Sequence, residues 1–491
     1  MAKKIIVIGS GFAGLSAAAC LAKAGYDVTM LEKNESPGGR ARVFRTQGFT
    51  FDMGPSWYWM PDVFEQFFGL FGKKVADYYH LVRLDPSYTI HFGQNDAMEV
   101  PASPDALYQL FDRYEPGSSA KLKTFLEEAR YKYEVGMGEF VRKPSLSILE
   151  FADLRIVMSL FRLQMFRSMS AYVRSLFRNE QLIQMLEFPV LFLGATPEKT
   201  PALYSLMNHA DLALGTWYPM GGMHQIVEGM LNVAQEQGVK LVLNAEVRKI
   251  EVIGNRATKV VTDAAVYEAD AVVGAADYHH VEQHLLAPEH RQYSEGYWNS
   301  RTMAPSSLLY YIGVNKKLKG LQHHNLFFDT DFRQHALDIY ENPRWPDKPL
   351  FYVSAPSVTD PTVAPEGCEN LFLLVPLAPG LEDTEALRER YYHIMMERLE
   401  KLTGQEIRPH VIYKRSYAHR DFERDYHAYK GNAYGLANTL LQTAFLKPKM
   451  KSSKIENLYY AGQLTTPGPG VPPSIISGQV VAGEIAKKIR P

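Results

Sequence analysis

A βαβ pattern at the start of the chain constrains the fold more than any other feature of the sequence. Residues 4–14, KIIVIGSGFAG, place a short apolar strand before three glycines in GxGxxG spacing, Gly9, Gly11 and Gly14. A helix-like run follows, and a second strand ends at Glu32. In this arrangement the glycines permit a tight turn, close approach of a pyrophosphate, and close packing of helix on strand. The acid can accept hydrogen bonds from a ribose diol, so the pattern predicts a dinucleotide site.

Composition narrows the class of protein. The 491 residues suggest two or three domains, and a net charge of −1 argues against a nucleic-acid partner. Two distant cysteines, Cys20 and Cys368, favour a reducing compartment. The early strand leaves no room for a signal peptide, and no apolar run reaches the length of about 18 residues that a spanning helix needs. We therefore expect a cytoplasmic protein.

Two further segments extend the dinucleotide site. Residues 37–42, PGGRAR, resemble the GGR segment of flavin-containing amine oxidases, in which Gly38, Gly39 and Arg40 would lie along the pyrophosphate and ribityl chain of FAD. An arginine suits a diphosphate because its planar fork can donate two hydrogen bonds. Near the end of the chain, residues 457–483 read as a strand, a Gly/Pro-dense loop and a helix, whose free N–H groups favour a polar cofactor edge.

Four segments together resemble one family, the bacterial- and fungal-type carotenoid desaturases of the phytoene desaturase group. They are FTFDMGPSWYWMPD, then TWYPMGG at 216–222, SVTDPTVAPEGCENLFLLVPL at 357–377, and ENLYYAG followed by TTPGPGVP. The resemblance extends from about residue 5 to 485 and therefore covers the whole architecture.

This resemblance implies FAD as the cofactor and a set of contacts to it. The residues that it places at FAD, besides the motif glycines, are Ser10, Ala13, Glu32, Lys33, Gly39, Arg40, Gly54, Pro55, Ser56, Trp57, Val247, Gly462, Gly470, Val471 and Pro472. Within this set, Gly54 to Trp57 would lie near the isoalloxazine ring, and Val247 would meet the adenine.

The predicted fold class is α/β, with a Rossmann-like FAD-binding domain of the glutathione-reductase and amine-oxidase type. Into it are inserted an α+β substrate domain and a helical, membrane-associated region. We expect the FAD-binding domain to be discontinuous, comprising residues 1–100, 221–300 and 451–491. Residues 101–220 would form the helical region, and residues 301–450 the substrate-binding sheet.

One helix-like stretch indicates how the protein could meet a membrane. Residues 154–178 contain five arginines and no acid, and the other residues are largely apolar. The arginines fall within about half of a helix circumference, as in a helix that lies in a membrane interface and faces anionic headgroups. An ordinary amphipathic helix packed on the core is the alternative. The prediction is peripheral association with the cytoplasmic membrane.

The cluster Trp57, Tyr58, Trp59 and Met60 follows a Gly-Pro turn that the resemblance places at the flavin. A carotenoid precursor offers nothing to hydrogen-bond, so its binding must come from apolar area, at roughly 25 cal/mol per Å². We expect these four side chains to wall a hydrophobic tunnel for the polyene. A core cluster beneath the flavin is the alternative.

The reaction that the resemblance implies is removal of two hydrogens from a saturated C–C bond, one as hydride to flavin N5 and one as a proton. Dioxygen or a quinone would reoxidise the flavin. No catalytic base can be named: Glu150 reads as a solvated acid, and His279 and His280 as structural or surface residues. No residue spacing indicates a metal.

Several functions share these motifs. Phytoene desaturation comes first, and the alternatives are 3,4-desaturation of a hydroxylated carotenoid, diapocarotene desaturation, and amine or porphyrinogen oxidation. A non-redox lipid carrier like the Rab GDP-dissociation inhibitors is a reading from another class, against which the complete dinucleotide motif argues.

Overall fold

A computed structural model of the chain describes residues 2–145, 163–439, 442–443 and 446–491. Within those ranges the strands are β1 (Lys4–Ile8), β2 (Asp27–Leu31), β3 (Val43–Thr46), β4 (Phe49–Asp52), β5 (Leu81–Arg83), β6 (Tyr88–Gly93), β7 (Asp96–Val100), β8 (Trp217–Pro219), β9 (Lys240–Val242), β10 (Val247–Ile253), β11 (Arg256–Thr262), β12 (Val266–Glu268), β13 (Ala271–Gly274), β14 (Ser306–Val314), β15 (His324–Phe327), β16 (Phe351–Ser354), β17 (Glu369–Leu377), β18 (Val411–Tyr417) and β19 (Leu458–Tyr460).

The helices of the same ranges connect these strands. They are α1 (Phe12–Lys23), α2 (Pro61–Gly69), α3 (Pro104–Tyr114), α4 (Ser118–Val135), α5 (Met169–Leu176), α6 (Glu180–Glu187), α7 (Leu206–Asn208), α8 (His224–Glu236), α9 (Tyr278–His284), α10 (Glu295–Asn299), α11 (Phe332–Tyr340), α12 (Glu385–Thr403), α13 (His419–Tyr426) and α14 (Val471–Lys488).

A five-stranded parallel sheet, in the order β19-β13-β1-β2-β9, forms the core of the dinucleotide part. Its central strand β1 is covered on both faces, as parallel strands require. Ile5 and Val7 pack in one core with α1, α8 and α14. Ile6 and Ile8 point the other way and pack in a second core with β10, β11 and α9. The alternation of side chains along a strand thus explains why this run is apolar at every position.

A seven-stranded sheet, in the order β18-β14-β17-β16-β15-β6-β7, forms the second layer. Its long central strands β14 and β17 pair antiparallel over nine residues. One face of this sheet packs on α12. The other face joins the largest core of the described residues, to which β4, β6 and the helices α3 to α6 also contribute.

The predicted division of domains stays a prediction, but one boundary differs from the arrangement of strands. Residues 88–100, which the prediction assigns to the FAD-binding domain, supply β6 and β7 at the edge of the seven-stranded sheet. The parallel pairing of β6 with β15 holds them there, an interaction between residues far apart in sequence that the local pattern could not indicate.

The arginine-rich stretch is only partly described, because residues 154–162, including Arg155 and Arg162, lie outside the described residues, as does Glu150. In the described part the predicted single helix is wrong. Residues 163–166 form a turn with Gln164 at φ 55°, and α5 begins only after Ser168, whose side chain accepts a hydrogen bond from the Ala171 N–H.

Two of the described arginines of this stretch, Arg167 and Arg174, have protein partners for their side chains. Arg174 donates two hydrogen bonds to Glu180, and the guanidinium of Arg167 lies 5.3 Å from the ring centre of Tyr172. None of the helices in the described ranges combines the length and apolarity needed to cross a bilayer.

Candidate functional site

One cavity of about 800 Å³ brings together nearly all of the predicted cofactor residues. Those that line it are Gly9, Ser10, Gly11, Ala13, Glu32, Lys33, Gly38, Gly39, Arg40, Gly54, Pro55, Ser56, Trp57, Val247, Gly462, Gly470, Val471 and Pro472. Gly14 is outside this lining. A Cβ there would meet the Gly9 carbonyl oxygen at 2.0 Å, so Gly14 serves the close packing of α1 on the preceding turn.

The N-terminus of α1 opens into this cavity. Its first residues, Phe12 and Ala13, line the cavity, and the N-cap residue Gly11 has no side chain to satisfy their N–H groups. A Cβ at Gly11 would have no atom of the described residues within 4 Å. Free N–H donors, a helix dipole and open space together fit a pyrophosphate.

Glu32, at the end of β2, is only 4% exposed and is fixed on both carboxylate oxygens. Oε2 accepts hydrogen bonds from the N–H and the hydroxyl of Ser10, at 3.0 and 2.7 Å. Oε1 accepts from the N–H and the amide of Asn34, at 2.9 and 2.8 Å. A carboxylate has about four acceptor sites, so a ribose diol would have to share or replace one of these donors. The position and orientation of Glu32 nevertheless fit a ribose next to the glycine turn.

Arg40 is a buried cation in the same cavity. Its Nη2 donates to the Asn432 carbonyl at 3.2 Å, while Nε has no hydrogen-bond partner within the described residues. Its guanidinium lies 5.2 Å from the ring centre of Tyr426. Burial lowers the pKa of this guanidinium, and the nearby Asp277 opposes that shift. Arginine stays charged in proteins, so a buried donor without a partner here fits an anionic cofactor.

A second helix, α14, also begins at the cavity wall. Its N-cap is Gly470, and prolines follow in the first turn, where the missing N–H would in any case have no helical partner. The Ser16 hydroxyl of α1 donates to the Ile475 carbonyl of α14 at 2.7 Å. This bond sets the two helix starts side by side. The Gln463 side chain donates to the Asn432 side chain at 3.1 Å.

Three of the residues just described were not predicted as site residues: Asp277, Tyr426 and Asn432. They come from the start of α9, the end of α13 and the loop after it. Asp277 lines the cavity, caps α9 by accepting from the His280 N–H, and lies near Arg40. The only sequence signal was the position of Asp277 three residues after the end of buried strand β13, at the edge where ligands often bind in open α/β sheets.

The aromatic cluster divides between two environments. Trp57, Trp59 and Met60 line the cavity, but Tyr58 does not. Tyr58 is fully buried, stacks on Phe64 at 4.2 Å between ring centres, and its hydroxyl lies 3.0 Å from that of Tyr79. The prediction that Tyr58 walls the tunnel is therefore wrong. Its backbone bridges to Trp217 in an extended conformation, and successive side chains of extended chain point to opposite sides.

Away from the helix starts most of the cavity lining is apolar, with Tyr204, Asn438 and Thr443 among the polar exceptions. The side chains of this end, called the channel here, include Met137, Leu163, Leu193, Leu203, Leu309 and Leu374. Phe166 and Leu446 also line the cavity, and they are 78% and 40% exposed. The cavity thus passes from a donor-rich end at the two helix starts to an apolar end that reaches the surface.

Polar side chains hold the cavity tryptophans from behind. The Trp59 indole donates to the Thr216 hydroxyl at 2.9 Å, and Thr216 donates in turn to Asp211 at 3.4 Å. Asp211 also accepts from the Tyr88 hydroxyl at 2.7 Å, and burial raises its pKa to about 7. On the other side, the Trp57 ring stacks on His324 at 4.1 Å between ring centres.

The two histidines named in the sequence analysis, His279 and His280, lie at the donor-rich end. His280 lines the cavity and stacks on His427 at 3.9 Å, and burial lowers its pKa to about 3. His279 lies 3.4 Å from Glu295 across the interface of α9 and α10. Within the described part of the chain, no group of three His, Cys, Asp or Glu side chains is placed to hold a metal ion.

Comparison with known proteins shows which family this architecture belongs to. The model of the family "Flavin containing amine oxidoreductase" matches residues 12–486. A carotenoid 3,4-desaturase of Haloarcula japonica is 42% identical over 486 residues, which cover 99% of this chain and 98% of the relative. A zeta-carotene-forming phytoene desaturase of Myxococcus xanthus is 32% identical, covering 98% of this chain and 93% of the relative. Among solved structures, cyclohexylamine oxidase of Brevibacterium oxydans shares the fold, with a TM-score of 0.61, 15% identity, and 99% of both chains covered.

The fold and the site therefore define an FAD-dependent oxidoreductase. The chain belongs to the flavin-containing amine oxidoreductase family and, within it, to the carotenoid desaturases. Its cofactor is FAD, and the expected fold class is confirmed for the FAD-binding architecture.

Proposed function

We propose that the protein desaturates a long, linear carotenoid precursor, with phytoene as the first candidate. The family alternatives, 3,4-desaturation of a hydroxylated carotenoid and desaturation of a diapocarotene, would use the same site. The observation that carries the proposal is the continuity of one cavity between the donor-rich end and the apolar channel.

The two ends of the cavity suit the two ligands that such a reaction needs. We assign the cofactor to the helix starts, Glu32, Arg40 and the other predicted residues that line the donor-rich end. We assign the polyene to Trp57, Trp59, Met60 and the channel. A hydrocarbon is held there by the apolar area removed from water, at roughly 25 cal/mol per Å².

Bound FAD would supply the chemistry of hydride acceptance. The residues of this chain position the two ligands. The segment Gly54–Trp57 joins the cofactor end to the channel, so Trp57 can hold a polyene bond beside the flavin. The apolar lining excludes water from that bond, and the polar residues behind the tryptophans fix their orientation.

Membrane association is part of the proposal. The exposed Phe166 and Leu446 line the same cavity as the channel residues, so an insoluble substrate could enter from a bilayer without crossing water. We propose peripheral contact of this surface with the cytoplasmic membrane. Replacement of both residues by serine should reduce sedimentation with liposomes and leave the FAD spectrum of the protein unchanged.

The proposed function is tested by incubating purified, FAD-loaded protein with phytoene in liposomes and following the absorption spectrum and chromatography. Phytoene is colourless, and each added conjugated double bond shifts absorption toward the visible. A coloured product supports phytoene desaturation, and its spectrum counts the steps.

Liposomes without carotenoid are the control, and hydroxylated carotenoids and diapophytoene are the parallel substrates. A protein that keeps reducible FAD but converts only a parallel substrate contradicts the phytoene assignment. A protein that converts none contradicts carotenoid desaturation. Comparing turnover with dioxygen and with a quinone would then test the predicted electron acceptors.

A further inference from the structure

The seven-stranded sheet presents three central strands to the cavity. Leu309 of β14, Leu374 of β17 and Tyr352 of β16 all line it, and they lie on one face because they are register partners in adjacent strands. Two of the three side chains are aliphatic. The third, Tyr352, carries a hydroxyl group and lies among the residues of the channel.

The Tyr352 hydroxyl is bonded to an imidazole. Its oxygen lies 2.6 Å from Nδ1 of His324, a fully buried residue two positions from the register partner of Tyr352 on β15. The hydroxyls of Ser56 and Ser354 lie close to that of Tyr352 and partly oppose the effect of burial on its pKa. Ser56 belongs to the segment assigned to the flavin and Trp57 stacks on His324, so the pair lies where cofactor end and channel meet.

Burial keeps both partners of the Tyr352–His324 hydrogen bond uncharged. Burial holds the pKa of His324 well below its ordinary value, and the neighbouring His323 adds to that shift. Burial raises the pKa of Tyr352. Both side chains are therefore neutral near pH 7, and Nδ1 accepts from the hydroxyl in the tautomer that carries the ring proton on Nε2. Nε2 has no hydrogen-bond partner among the described residues.

We propose that Tyr352 is the catalytic proton acceptor of the desaturation, with His324 as the positioning residue that takes the proton of the tyrosine. This inference rests on the proposed function. One hydrogen leaves the polyene as hydride, with two electrons, to oxidised FAD. A proton leaves the adjacent carbon for the Tyr352 oxygen as the tyrosine proton moves to His324 Nδ1. The electron pair of the broken C–H bond becomes the new π bond. After the product leaves, the proton returns from His324 through the Tyr352 oxygen, which lines the cavity, to water there.

A neutral tyrosine is a sufficient base for this step. As the hydride leaves, positive charge develops on the carbons next to the existing double bonds, so the adjacent C–H becomes strongly acidic and its proton leaves in the same step. The carboxylates that line the cavity, such as Asp277 and Glu32, are held by partners at the donor-rich end. Tyr352 lines the channel and is hydrogen-bonded to a neutral imidazole, so it can both receive a proton and pass one on.

The test replaces Tyr352 by phenylalanine in the FAD-loaded, full-length protein. Flavin reduction by phytoene, or by the carotenoid that the wild type converts, is followed without dioxygen in H₂O and in D₂O. The expected result is about 100-fold slower reduction, at the lower end of the range for a positioned acid–base group. The wild type should react more slowly in D₂O because the tyrosine proton exchanges with solvent, and Tyr352→Phe should lose this isotope effect.

Two further variants separate catalysis from structure. Tyr58→Phe also removes a buried hydroxyl, but one outside the cavity, and should keep the isotope effect. His324→Asn keeps an acceptor near the position of Nδ1 but cannot take the proton, so it should slow reduction as Tyr352→Phe does. FAD absorbance and affinity for the fully desaturated product are measured for each protein, and Tyr352→Phe should match the wild type in both.

The outcomes distinguish the two proposals. Wild-type protein whose FAD is not reduced by any carotenoid overturns the proposed function and this inference with it. Wild type that is reduced, together with Tyr352→Phe that is reduced equally fast and with the same isotope effect, overturns the role of Tyr352 alone. Slow reduction in Tyr352→Phe that accompanies lost FAD or lost product affinity also overturns it, in favour of a structural role.

Discussion

The two ends of the cavity bind by different physics, and they differ accordingly in how well a sequence reveals them. The donor-rich end combines helix starts, a buried arginine and a carboxylate at positions that a polar ligand requires. The channel is lined by aliphatic and aromatic side chains that need only contribute area. Polar recognition fixes residue types at fixed spacings, whereas apolar recognition leaves many residues interchangeable.

The largest expected effect comes from the motif glycines. They test which glycine is needed for packing within the protein and which one leaves room for the ligand. Gly14→Ala places a Cβ 2.0 Å from a carbonyl oxygen and should destabilise even the FAD-free protein, by about 3 kcal/mol or more. Gly11→Ala meets no described protein atom within 4 Å. It should therefore melt like the wild type without FAD but bind FAD more weakly. Equal melting temperatures for both FAD-free variants would refute the distinction.

A large effect is also expected at the channel from Trp59→Ala. Trp59 is 9% exposed and donates to Thr216, so truncation should destabilise the protein by about 3–5 kcal/mol. Trp59→Phe retains most of the area and should keep most of the turnover. Calorimetry measures the stability of the two variants, and a parallel carotenoid desaturation assay measures their turnover. Loss of turnover in Trp59→Phe with normal stability would show that the channel needs more than apolar area.

Asp211 gives an intermediate effect that depends on pH. Burial raises its pKa to about 7, above the unfolded value of about 3.9, so its contribution to stability is present below about pH 4 and is lost as pH rises to about 7. In Asp211→Asn the side chain does not ionise, so this loss of stability at higher pH does not occur. The variant should gain stability relative to the wild type between about pH 5 and pH 8, on the order of 1–3 kcal/mol.

Melting temperatures across this range, for the wild type and Asp211→Asn, measure that gain. A difference that does not change with pH would mean that Asp211 keeps an ordinary pKa. The result concerns the channel end of the cavity, because Asp211 is a buried acid that hydrogen-bonds Tyr88 and Thr216 behind the channel tryptophans.

The smallest effect is expected from Leu374→Met in the channel. A swap that conserves volume usually costs less than about 1.5 kcal/mol, and Leu374 contributes area rather than a specific contact. FAD content should be unchanged and turnover nearly so. A change of product, seen by chromatography, would instead identify Leu374 as a determinant of how far the polyene can slide.

Particular residues show which parts of the fold and of the candidate site a sequence can indicate. Glu32 and the motif glycines could be proposed as site residues from the sequence because a βαβ unit is local, and its parts lie within about 30 residues. Asp277, Tyr426 and Asn432 were missed because each reaches the site from a distant segment through tertiary packing. Tyr58 was assigned to the wrong side because composition alone does not give the alternation of an extended segment.

The long arginine-rich helix was overextended at 163–168 for a similar reason. Periodicity continued through the stretch, but the capping side chain of Ser168 and the left-handed Gln164 interrupt the helix. Local hydrogen bonds of this kind compete with helical ones and outweigh a weak periodic signal.

Because β1 pairs with β13, the central parallel sheet can be completed only late in the translation of the chain. Lys3 and Asp270, which pair at the start of these neighbouring strands, are 267 positions apart, and the strand and helix that close the cavity come later still. At about 5–20 residues per second, β1 would wait on the order of tens of seconds for its neighbour to be translated. During that interval its apolar edge is uncovered, so the nascent chain should depend on chaperones, and slower translation in the intervening region should lower the yield of folded protein.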